Sequence, residues 1–443
     1  INCLTTLTER HGKPQGLGIS YAMHSLIAMS GTNEPLTHAI LWSDARSADQ
    51  ADQLRQHPLA STLYESTGTP IHAMSPLAKI IWIREQDPTL FSQSKKFISI
   101  KEYIWYRLFN CYEIDYSLAS ATGLFDLTDL SWNTLALKLA KISQDQLSTP
   151  VSTTHCRRLS ATASEILNDV DVVIGGSDGC LANLGSGVLK PGSAALTIGT
   201  SGAFRVSSSV PISDHASMIF NYNLDADTFV SGGAINNGGI AWQWFVRDFL
   251  QLANPSPEVV ENLIENMSDS PTADGLLFLP YLMGERAPIW NSRACGAFFG
   301  ITSQHSKDHF VRAVLEGITF SLYHVYSILE SRAEPIKTIY ASGGFTQSAV
   351  WLQLIADIFG KTVVVRQADD ASAVGAVMIA VKAIEHLREY PSWPRDEHER
   401  VVYPRTELYG TYQAHFKQYR RLYELLKAEM EFTFNQRARA TPS

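Results

Sequence analysis

The chain has 443 residues, enough for about two or three domains, each with a core of its own. Its hydrophobic share of 45% and charged share of 18% are typical of a soluble globular protein. A formal net charge of -8, with no long lysine or arginine run and no apolar run near the roughly 18 residues of a membrane span, argues against nucleic-acid and membrane partners and favours the cytoplasm.

The first part of the chain alternates predicted helices and strands. LTTLTERHG (4–12) predicts a helix, and LGIS (17–20) and SLIAM (25–29) predict short strands around a tight link. Apolar residues then recur at helical spacing in 47–58 and 76–86. This mixture predicts an α/β protein.

The second part of the chain repeats a pattern of strand, glycine-containing turn and helix. VVIGG (172–176) opens this pattern after a polar stretch, so we place a domain boundary at residue 172. The elements predicted after it are strands in SAALTIG (193–199), TFVSGGAI (228–235), KTIYASGG (337–344) and TVVVR (362–366), and helices over 305–331, 346–360 and 371–384.

Two glycine turns of the second part carry the chemical signal. TIGTSGAF (197–204) and SGGFTQS (342–348) each follow a predicted strand. Small residues in such turns let backbone N–H groups approach anionic oxygens, as phosphate binding requires. Neither turn contains the Gly-Lys-Ser/Thr of a P-loop or the G-x-G-x-x-G of a dinucleotide fold.

Asp178 is the second residue after VVIGG and lies between Ser177 and Gly179, two small residues. The residues alone leave two interpretations open. A carboxylate at the C-terminal end of a strand is accessible to a ligand and can act as a general base. The same side chain can instead cap a helix that begins near Leu181.

Two longer strings resemble signatures of the FGGY carbohydrate kinases, which are related to actin and to the heat-shock ATPases. MSPLAKIIWIREQ (74–86) is similar to the first signature, and GAFFGITSQHSKDHFVRAVLE (296–316) is similar to the second. The resemblance implies a two-domain actin-like, ribonuclease H-like ATPase fold, in which each domain has a mixed sheet flanked by helices. We expect the domains at 1–172 and 173–443.

The resemblance also implies a reaction, the ATP-dependent phosphorylation of a sugar or sugar acid with ATP and Mg²⁺ as cofactors. LWSDARS (41–47), SIKEYIWYRLF (99–109) and DYSLASATGLFD (115–126) are similar to strings of gluconate kinases, which favours phosphorylation of D-gluconate to 6-phospho-D-gluconate. Two alternatives stay open: a xylulokinase-like or other polyol kinase, and a non-catalytic sensor of sugar or nucleotide. The expected partners are a small sugar acid and ATP, and a homodimer is an open alternative to a monomer.

Residue roles follow from the resemblance, position by position. Asp178 is expected to be the general base. The residues expected at the phosphates of ATP are Gly199, Thr200 and Ser201, those at the adenosine are Gly343, Gly344 and Phe345, and those at the sugar are Met23, His24 and Asp44.

A gluconate carboxylate also needs a cationic partner or several N–H donors. Arg286, in the string GERAP, is the first candidate, and Lys101 is the second substrate-binding cation that we predict. Lys79 and Arg46 are further alternatives, although Lys79 can also serve its own helix.

A metal site stays unassigned at this level. Members of the family open with a D-x-G-T-T-like hairpin that supplies an acid for magnesium and a turn for the phosphates, and this sequence contains no such string. We therefore expect an N-terminal extension of the natural protein to carry that acid. His305 and His309 stand four residues apart, but no glutamate intervenes as in H-E-x-x-H, so we expect no metal there.

Overall fold

The computed structural model describes residues 2–160, 167–267, 272–366, 370–392 and 399–440. Two compact units form the chain: the first contains Ile1–Leu189, Ser207–Ser231 and Ala368–Pro394, and the second contains Lys190–Val206, Gly232–Gln367 and Arg395–Ser443.

The helices, in chain order, are α1 (Asn2–His11), α2 (Ala48–Gln56), α3 (Ala60–Thr67), α4 (Pro76–Gln86), α5 (Pro88–Gln93), α6 (Ile100–Phe109), α7 (Tyr116–Ala119), α8 (Thr134–Ala140), α9 (Asp178–Gly185), α10 (Gly239–Trp244), α11 (Pro257–Glu265), α12 (Lys307–Glu330), α13 (Ala349–Phe359), α14 (Ala371–Ile384) and α15 (Thr406–Ala440).

The strands are β1 (Gly16–Tyr21), β2 (Ile27–Met29), β3 (Lys96–Ile98), β4 (Glu113–Asp115), β5 (Phe125–Asp126), β6 (Ser131–Trp132), β7 (Thr149–Val151), β8 (Cys156–Arg158), β9 (Asp171–Ser177), β10 (Ser193–Ile198), β11 (Gly202–Ser208), β12 (Phe220–Asn223), β13 (Phe229–Ile235), β14 (Leu277–Leu279), β15 (Ala297–Phe299), β16 (Thr338–Ser342), β17 (Thr362–Val365) and β18 (Arg400–Val402).

The first unit contains a three-stranded sheet in the order β1-β9-β8. β9 pairs in parallel with β1 and antiparallel with β8. Residues 172–177 of β9 are all buried, which explains why this strand reads as an unbroken apolar and small-residue run rather than an alternating one. α14 packs against β1 and β9 and, most extensively, against α9.

Glycines make the contact between α9 and α14 close. A Cβ atom at Gly185 would lie 1.9 Å from the carbonyl oxygen of Ala371, and one at Gly375 would lie 2.0 Å from that of Leu181. No other residue type fits at these two points without moving a helix. Gly375 is therefore a packing residue of the contact between α9 and α14.

The second unit is built on a mixed sheet in the order β13-β11-β10-β16-β17-β18. β10, β16 and β17 run parallel, whereas β11 is antiparallel to β10 and β18 is antiparallel to β17. α12 is buried along most of its length, from Val311 to Leu329, and packs against α13. A helix that is apolar nearly all round belongs to a core of this kind.

Every predicted element described above is present, with ends shifted by a few residues. The α/β class with mixed sheets flanked by helices is confirmed. The predicted boundary at residue 172 stays a prediction. None of the described helices has both the length and the apolar character that crossing a bilayer demands.

Candidate active site

The predicted base and the predicted sugar-binding loop of the first unit share one sheet edge. β1 and β9 run parallel, and Tyr21 pairs with Ser177 at their C-terminal ends. Asp178 follows Ser177, and the loop with Met23 and His24 follows Tyr21. The two segments therefore leave the sheet side by side, at the edge where parallel sheets bind ligands.

Asp178 is exposed between two buried neighbours, Ser177 and Gly179. It is the first residue of α9, and the hydroxyl of Ser177 caps that helix by accepting the N–H of Cys180 at 3.3 Å. The interpretation that Asp178 caps a helix beginning near Leu181 is therefore wrong. Its Oδ1 accepts the N–H of Gly179 at 2.8 Å, which orients the carboxylate and leaves the residue accessible.

A different close contact accounts for each of the two glycines that precede Ser177 and Asp178. Gly175 has φ +66°, and a Cβ atom there would lie 2.0 Å from the carbonyl oxygen of Ile19. A Cβ atom at Gly176 would lie 2.9 Å from the hydroxyl oxygen of Ser117. A side chain is thus excluded at Gly175 by the backbone of β1, whereas one at Gly176 would have to displace the hydroxyl of Ser117.

His24 lies in a strained loop beside this edge. Its φ is +66°, a left-handed conformation that is uncommon for histidine. Its Nδ1 lies 2.9 Å from the carbonyl oxygen of Ala121, so Nδ1 must carry a proton, and its Nε2 lies 3.5 Å from the hydroxyl of Tyr222. The ring is only half-buried. Tyr222 was not among the predicted residues, because nothing near it in the sequence marks it.

Lys79 holds the predicted sugar-binding loop in place. Its ammonium group donates to the carbonyl oxygens of His24 at 2.6 Å and Leu41 at 2.8 Å. The side chain is fully buried, and burial lowers the pKa of Lys79 to about 8. Lys79 therefore ties the His24 loop to the loop that begins at Leu41, rather than facing a substrate.

Asp44 lies on that second loop and binds Arg46. The Nε of Arg46 lies 2.9 Å from each carboxylate oxygen, and its guanidinium carbon lies 5.1 Å from the ring centroid of Trp82. The hydrogen bond from Arg46 lowers the pKa of Asp44. Because Lys79 joins the two loops, this pair belongs to the neighbourhood of His24.

Lys101 does not fit the predicted contact with a substrate carboxylate. Its side chain is 2% exposed, and its ammonium group lies 2.5 Å from Oδ2 of Asp115, which is 0% exposed. Burial lowers the pKa of Lys101, and the charge of Asp115 opposes that shift. The group serves the interior of the first unit, so we withdraw it from the substrate contacts.

The two glycine turns of the second unit also share a sheet edge. β10 and β16 run parallel, and Thr197 pairs with Ser342 at their ends, where their hydroxyl oxygens lie 3.0 Å apart. Gly199 and Gly344 follow these strands and are exposed, and a Cβ atom at either would meet nothing within 4 Å. Open space beside both turns fits a ligand that approaches the backbone.

The other residues of these turns differ in accessibility. Thr200 and Gly343 are exposed, and Ser201 is half-buried. Gly343 has φ +115°, and a Cβ atom there would lie 2.2 Å from the carbonyl oxygen of Ile198. Phe345 does not fit the predicted contact with adenosine, because it is only 6% exposed and its ring packs edge-on against Trp351.

A third loop, after β13, supports the first turn and was missed by the sequence analysis. The N–H of Gly239 donates to the carbonyl oxygen of Gly199 at 2.7 Å, and the N–H of Ile240 donates to that of Thr200 at 3.0 Å. A Cβ atom at Gly238 would lie 2.4 Å from the carbonyl oxygen of Ser201. The string INNGG directly after a predicted strand was the signal that could have revealed this loop.

Arg286 belongs to the second unit and is half-buried. Its guanidinium group donates to the carbonyl oxygen of Ile235 at 3.1 Å. The preceding Glu285 is buried and accepts from the side chain of Asn237 at 3.0 Å, and burial raises its pKa. The predicted contact of Arg286 with a substrate carboxylate stays a prediction.

The histidine pair at the start of α12 has structural partners. Nε2 of His305 lies 3.2 Å from the carbonyl oxygen of Asp274, and Nδ1 of His309 accepts the N–H of Ser306 at 3.0 Å. Within the described ranges, no group of three or more histidine, cysteine or acidic side chains could hold a metal ion.

Sequence comparison identifies relatives along most of the chain. Family models match over residues 1–185 for the N-terminal domain and 194–384 for the C-terminal domain of one family. Gluconokinases of Bacillus licheniformis and Bacillus subtilis strain 168 are 43% and 42% identical, over 84% and 86% of this chain and 74% and 77% of theirs. A xylulose kinase of Bacillus subtilis strain 168 is 30% identical over 92% of this chain and 82% of its own.

Solved structures agree with these relatives. A gluconate kinase from Lactobacillus acidophilus superposes with a TM-score of 0.87 at 32% identity, over 96% of this chain and 87% of that one. A ligand-bound xylulose kinase from the same organism superposes with a TM-score of 0.88 at 32% identity, over 96% and 88%. The chain therefore belongs to the FGGY family of carbohydrate kinases, which use ATP as the phosphoryl donor.

Proposed function

We propose that this protein transfers the γ-phosphoryl group of ATP to the C6 hydroxyl of D-gluconate, giving 6-phospho-D-gluconate and ADP. The choice of gluconate as the acceptor rests on the difference in sequence identity among the relatives. Two gluconokinases are 43% and 42% identical, whereas the xylulose kinase is 30% identical. The fold does not discriminate, because the solved structures of both classes superpose equally well.

In this proposal Asp178 is the general base. Its exposed carboxylate receives the proton of the C6 hydroxyl as the oxygen forms its bond to phosphorus, and the bond between phosphorus and the β–γ bridging oxygen of ATP breaks. The N–H of Gly179 keeps one carboxylate oxygen oriented, at 2.8 Å. A base of this kind contributes about 10²- to 10⁴-fold, and positioning of the reactants contributes the larger part of such reactions.

The glycine turns of the second unit are proposed to hold ATP. Exposed Gly199 and Thr200 present backbone and hydroxyl groups for the phosphates, and the open space at Gly344 accommodates the flat adenosine. Mg²⁺ is proposed as the accompanying ion, which neutralises charge on the phosphate oxygens during transfer. We assign no residue of this chain to the ion.

The carboxylate of gluconate is proposed to meet Arg46 or Arg286. Arg46 lies in the loop that Lys79 ties to the His24 loop, and its side chain is 45% exposed. Arg286 is half-buried in the second unit. Met23, His24 and Asp44 are proposed to contact the sugar hydroxyl groups, with Nε2 of His24 as an acceptor.

The test is an acceptor panel with the full-length protein, ATP and Mg²⁺. D-gluconate, D-xylulose and glycerol are compared by ADP release, and ³¹P NMR identifies the phosphorylated position. We expect kcat/KM for gluconate to exceed that of both neutral acceptors by about tenfold or more, with phosphate at C6. Preference for D-xylulose would support the polyol-kinase alternative. Calorimetric binding of gluconate or ATP without ADP release would support the sensor alternative.

Location and assembly are further parts of the proposal. A kinase that consumes ATP fits the cytoplasm, where ATP is available. A homodimer stays a prediction that sedimentation of the purified protein tests.

A further inference from the structure

We propose that Ser117, supported by the buried ion pair of Lys101 and Asp115, is a positioning residue for the base Asp178. This inference rests on the proposed function, because it assigns a role in a reaction that Asp178 assists. It concerns groups that are buried in the first unit, and it gives a reason for the ion pair in that interior.

The network begins at the carboxylate of Asp115. Its Oδ2 accepts from the ammonium group of Lys101 at 2.5 Å, and its Oδ1 accepts from the N–H groups of Ser117 at 3.0 Å and Leu118 at 3.1 Å. Oδ1 also lies 2.5 Å from the hydroxyl oxygen of Ser117. Asp115, Ser117 and Lys101 are all buried, so water does not compete for these bonds.

The direction of each hydrogen bond follows from chemistry. An ionised carboxylate only accepts, so the hydroxyl of Ser117 must donate its one proton to Asp115. The lone pairs of that hydroxyl are then available, and the N–H of Ser177 donates to it at 2.7 Å. The hydrogen bonds therefore run in one direction. The N–H of Ser177 donates to the hydroxyl of Ser117, and that hydroxyl donates to the carboxylate of Asp115, which Lys101 neutralises.

This order connects the network to the base. Ser177 is the last residue of β9 and the cap of α9, and Asp178 follows it directly. Gly176 lets the hydroxyl of Ser117 approach, because a Cβ atom there would lie 2.9 Å from it. Fixing the N–H of Ser177 fixes the turn from which the carboxylate of Asp178 projects.

The energetics favour positioning over stability as the role of the ion pair. Removing two charges from water costs free energy that their attraction only partly returns, and apolar pairs of similar volume are often as stable. An ion pair polarises the hydroxyl of Ser117 and gives it one orientation, which an apolar pair does not. A misplacement of about 1 Å at a reacting group can lower a rate by about 100-fold.

The experiment compares Ser117→Ala with the wild type and with Ser94→Ala in the full-length protein. Ser94 is a comparably buried serine of the first unit, and its hydroxyl donates to the carbonyl oxygen of Leu90 at 2.7 Å. We expect Ser117→Ala to lower kcat about 10- to 100-fold while KM for ATP changes less than about twofold. Ser94→Ala should keep the wild-type kcat.

A double-mutant cycle separates positioning from a general structural role. In an Asp178→Asn background, Ser117→Ala should cause no further loss of kcat, because it acts through the carboxylate that is already absent. An equal loss in both backgrounds would overturn the proposal, and so would a folded Ser117→Ala variant with wild-type kcat. If Ser117→Ala does not fold, Gly176→Ala takes its place, because its methyl group displaces the same hydroxyl from the other side, and the same criteria apply.

A measurement that does not depend on catalysis distinguishes a failure of this proposal from a failure of the proposed function. Hydrogen exchange followed by mass spectrometry measures the protection of the amides in 177–180. We expect faster exchange there in Ser117→Ala than in wild type or Ser94→Ala. Unchanged exchange would overturn the network's role even if no acceptor is phosphorylated, whereas a wild-type protein inactive on every acceptor would overturn the proposed function.

Discussion

Arg46 and Arg286 are the cations that the structure leaves for a substrate carboxylate among those predicted from the sequence. Lys101 is bound to Asp115, and Lys79 donates to backbone carbonyl oxygens. Arg46 pairs with Asp44 through one side of its guanidinium group and is 45% exposed, so further N–H donors can reach a ligand.

Substituting these arginines should lower the activity on a charged acceptor and leave the activity on a neutral acceptor unchanged. Arg46→Gln or Arg286→Gln, whichever residue meets the carboxylate, should lower kcat/KM for gluconate about 10- to 100-fold, because a charge-assisted hydrogen bond contributes about 1.5–3 kcal/mol. Slow phosphorylation of a neutral polyol should be unaffected. Steady-state kinetics with both acceptors provides the measurement.

A third variant, Arg158→Gln, serves as the control, since Arg158 is an exposed arginine paired with Asp171 at the opposite end of β9. Its kinetics should match the wild type. If both test variants discriminate gluconate from the neutral acceptor as the wild type does, the carboxylate site is wrong. Backbone N–H groups would then be the better candidates.

At the level of single residues, the sequence can mark a position that lies in a local pattern, but it does not reveal a residue's distant partner. The position of Asp178, among small residues after a strand, is a local pattern that drew attention to it, whereas its expected role as a base came from the family resemblance; the structure exposes the residue there. The burial of Lys101 has no such local pattern, since its partner Asp115 lies 14 residues away on another element. Charge alone therefore suggested a surface role for a residue of the interior.

At the scale of elements, two adjacent glycines have different roles. Gly344 faces open space, so a larger side chain there fits the folded protein. Gly343 has φ +115° and no room for a Cβ atom next to Ile198. The same string, SGGFTQS, thus contains one position that we assign to ligand binding and one that the turn itself requires.

We predict that Gly344→Val weakens ATP binding at nearly unchanged stability, because the branched side chain occupies the space proposed for adenosine. Gly343→Ala should instead lower the melting temperature, since strained backbone and a contact of 2.2 Å must both be relieved. Calorimetric titration with ATP and thermal unfolding measure the two effects. An unchanged ATP affinity in folded Gly344→Val would reject the assignment of Gly344 to the adenosine.

The sequence predicts the positions of the strands and helices better than it predicts which segments contact one another. Strand and helix patterns are local, so β10, β16 and α13 were found from apolar spacing. The loop at Gly238 and Gly239 was missed, because its contacts with Gly199 and Ser201 join segments about forty residues apart. Contacts at such separations leave no periodic pattern.

At the scale of the whole molecule, distant segments form each unit. α14, near the C-terminal end, packs against α9 and β1 in the first unit. Glu113 likewise joins β4 to β8, since it accepts from the guanidinium of Arg157 at 2.8 Å and from the indole of Trp105 at 2.8 Å. The alternating α/β pattern predicted the class of fold, but such long-range pairings have to be read from the structure.

The lowered pKa of Glu113 predicts how the stability of the folded protein depends on pH. The hydrogen bond from Arg157 lowers the pKa of Glu113 from 4.5 to about 2. Because the folded state holds the ionised form, this stabilisation is complete above about pH 4.5 and is lost as the pH falls through about 2. Glu113→Gln should lower the free energy of unfolding at neutral pH by about 1–3 kcal/mol, and the difference from wild type should vanish toward pH 2.

Urea unfolding followed by circular dichroism measures this difference at each pH. Glu65→Gln is the matched control, because Glu65 is an exposed acid of the first unit whose carboxylate binds the side chain of His215. A constant difference between wild type and Glu113→Gln from neutral to acidic pH would contradict the assignment.

The most direct test of the account is the substitution Asp178→Asn in the full-length protein, assayed with ATP and D-gluconate. The amide keeps the shape of the side chain but cannot accept the proton, so kcat should fall by about 10²- to 10⁴-fold while calorimetry shows little change in ATP affinity. Circular dichroism should show the wild-type fold. A folded variant that retains about a tenth or more of the wild-type kcat would exclude Asp178 as the essential base.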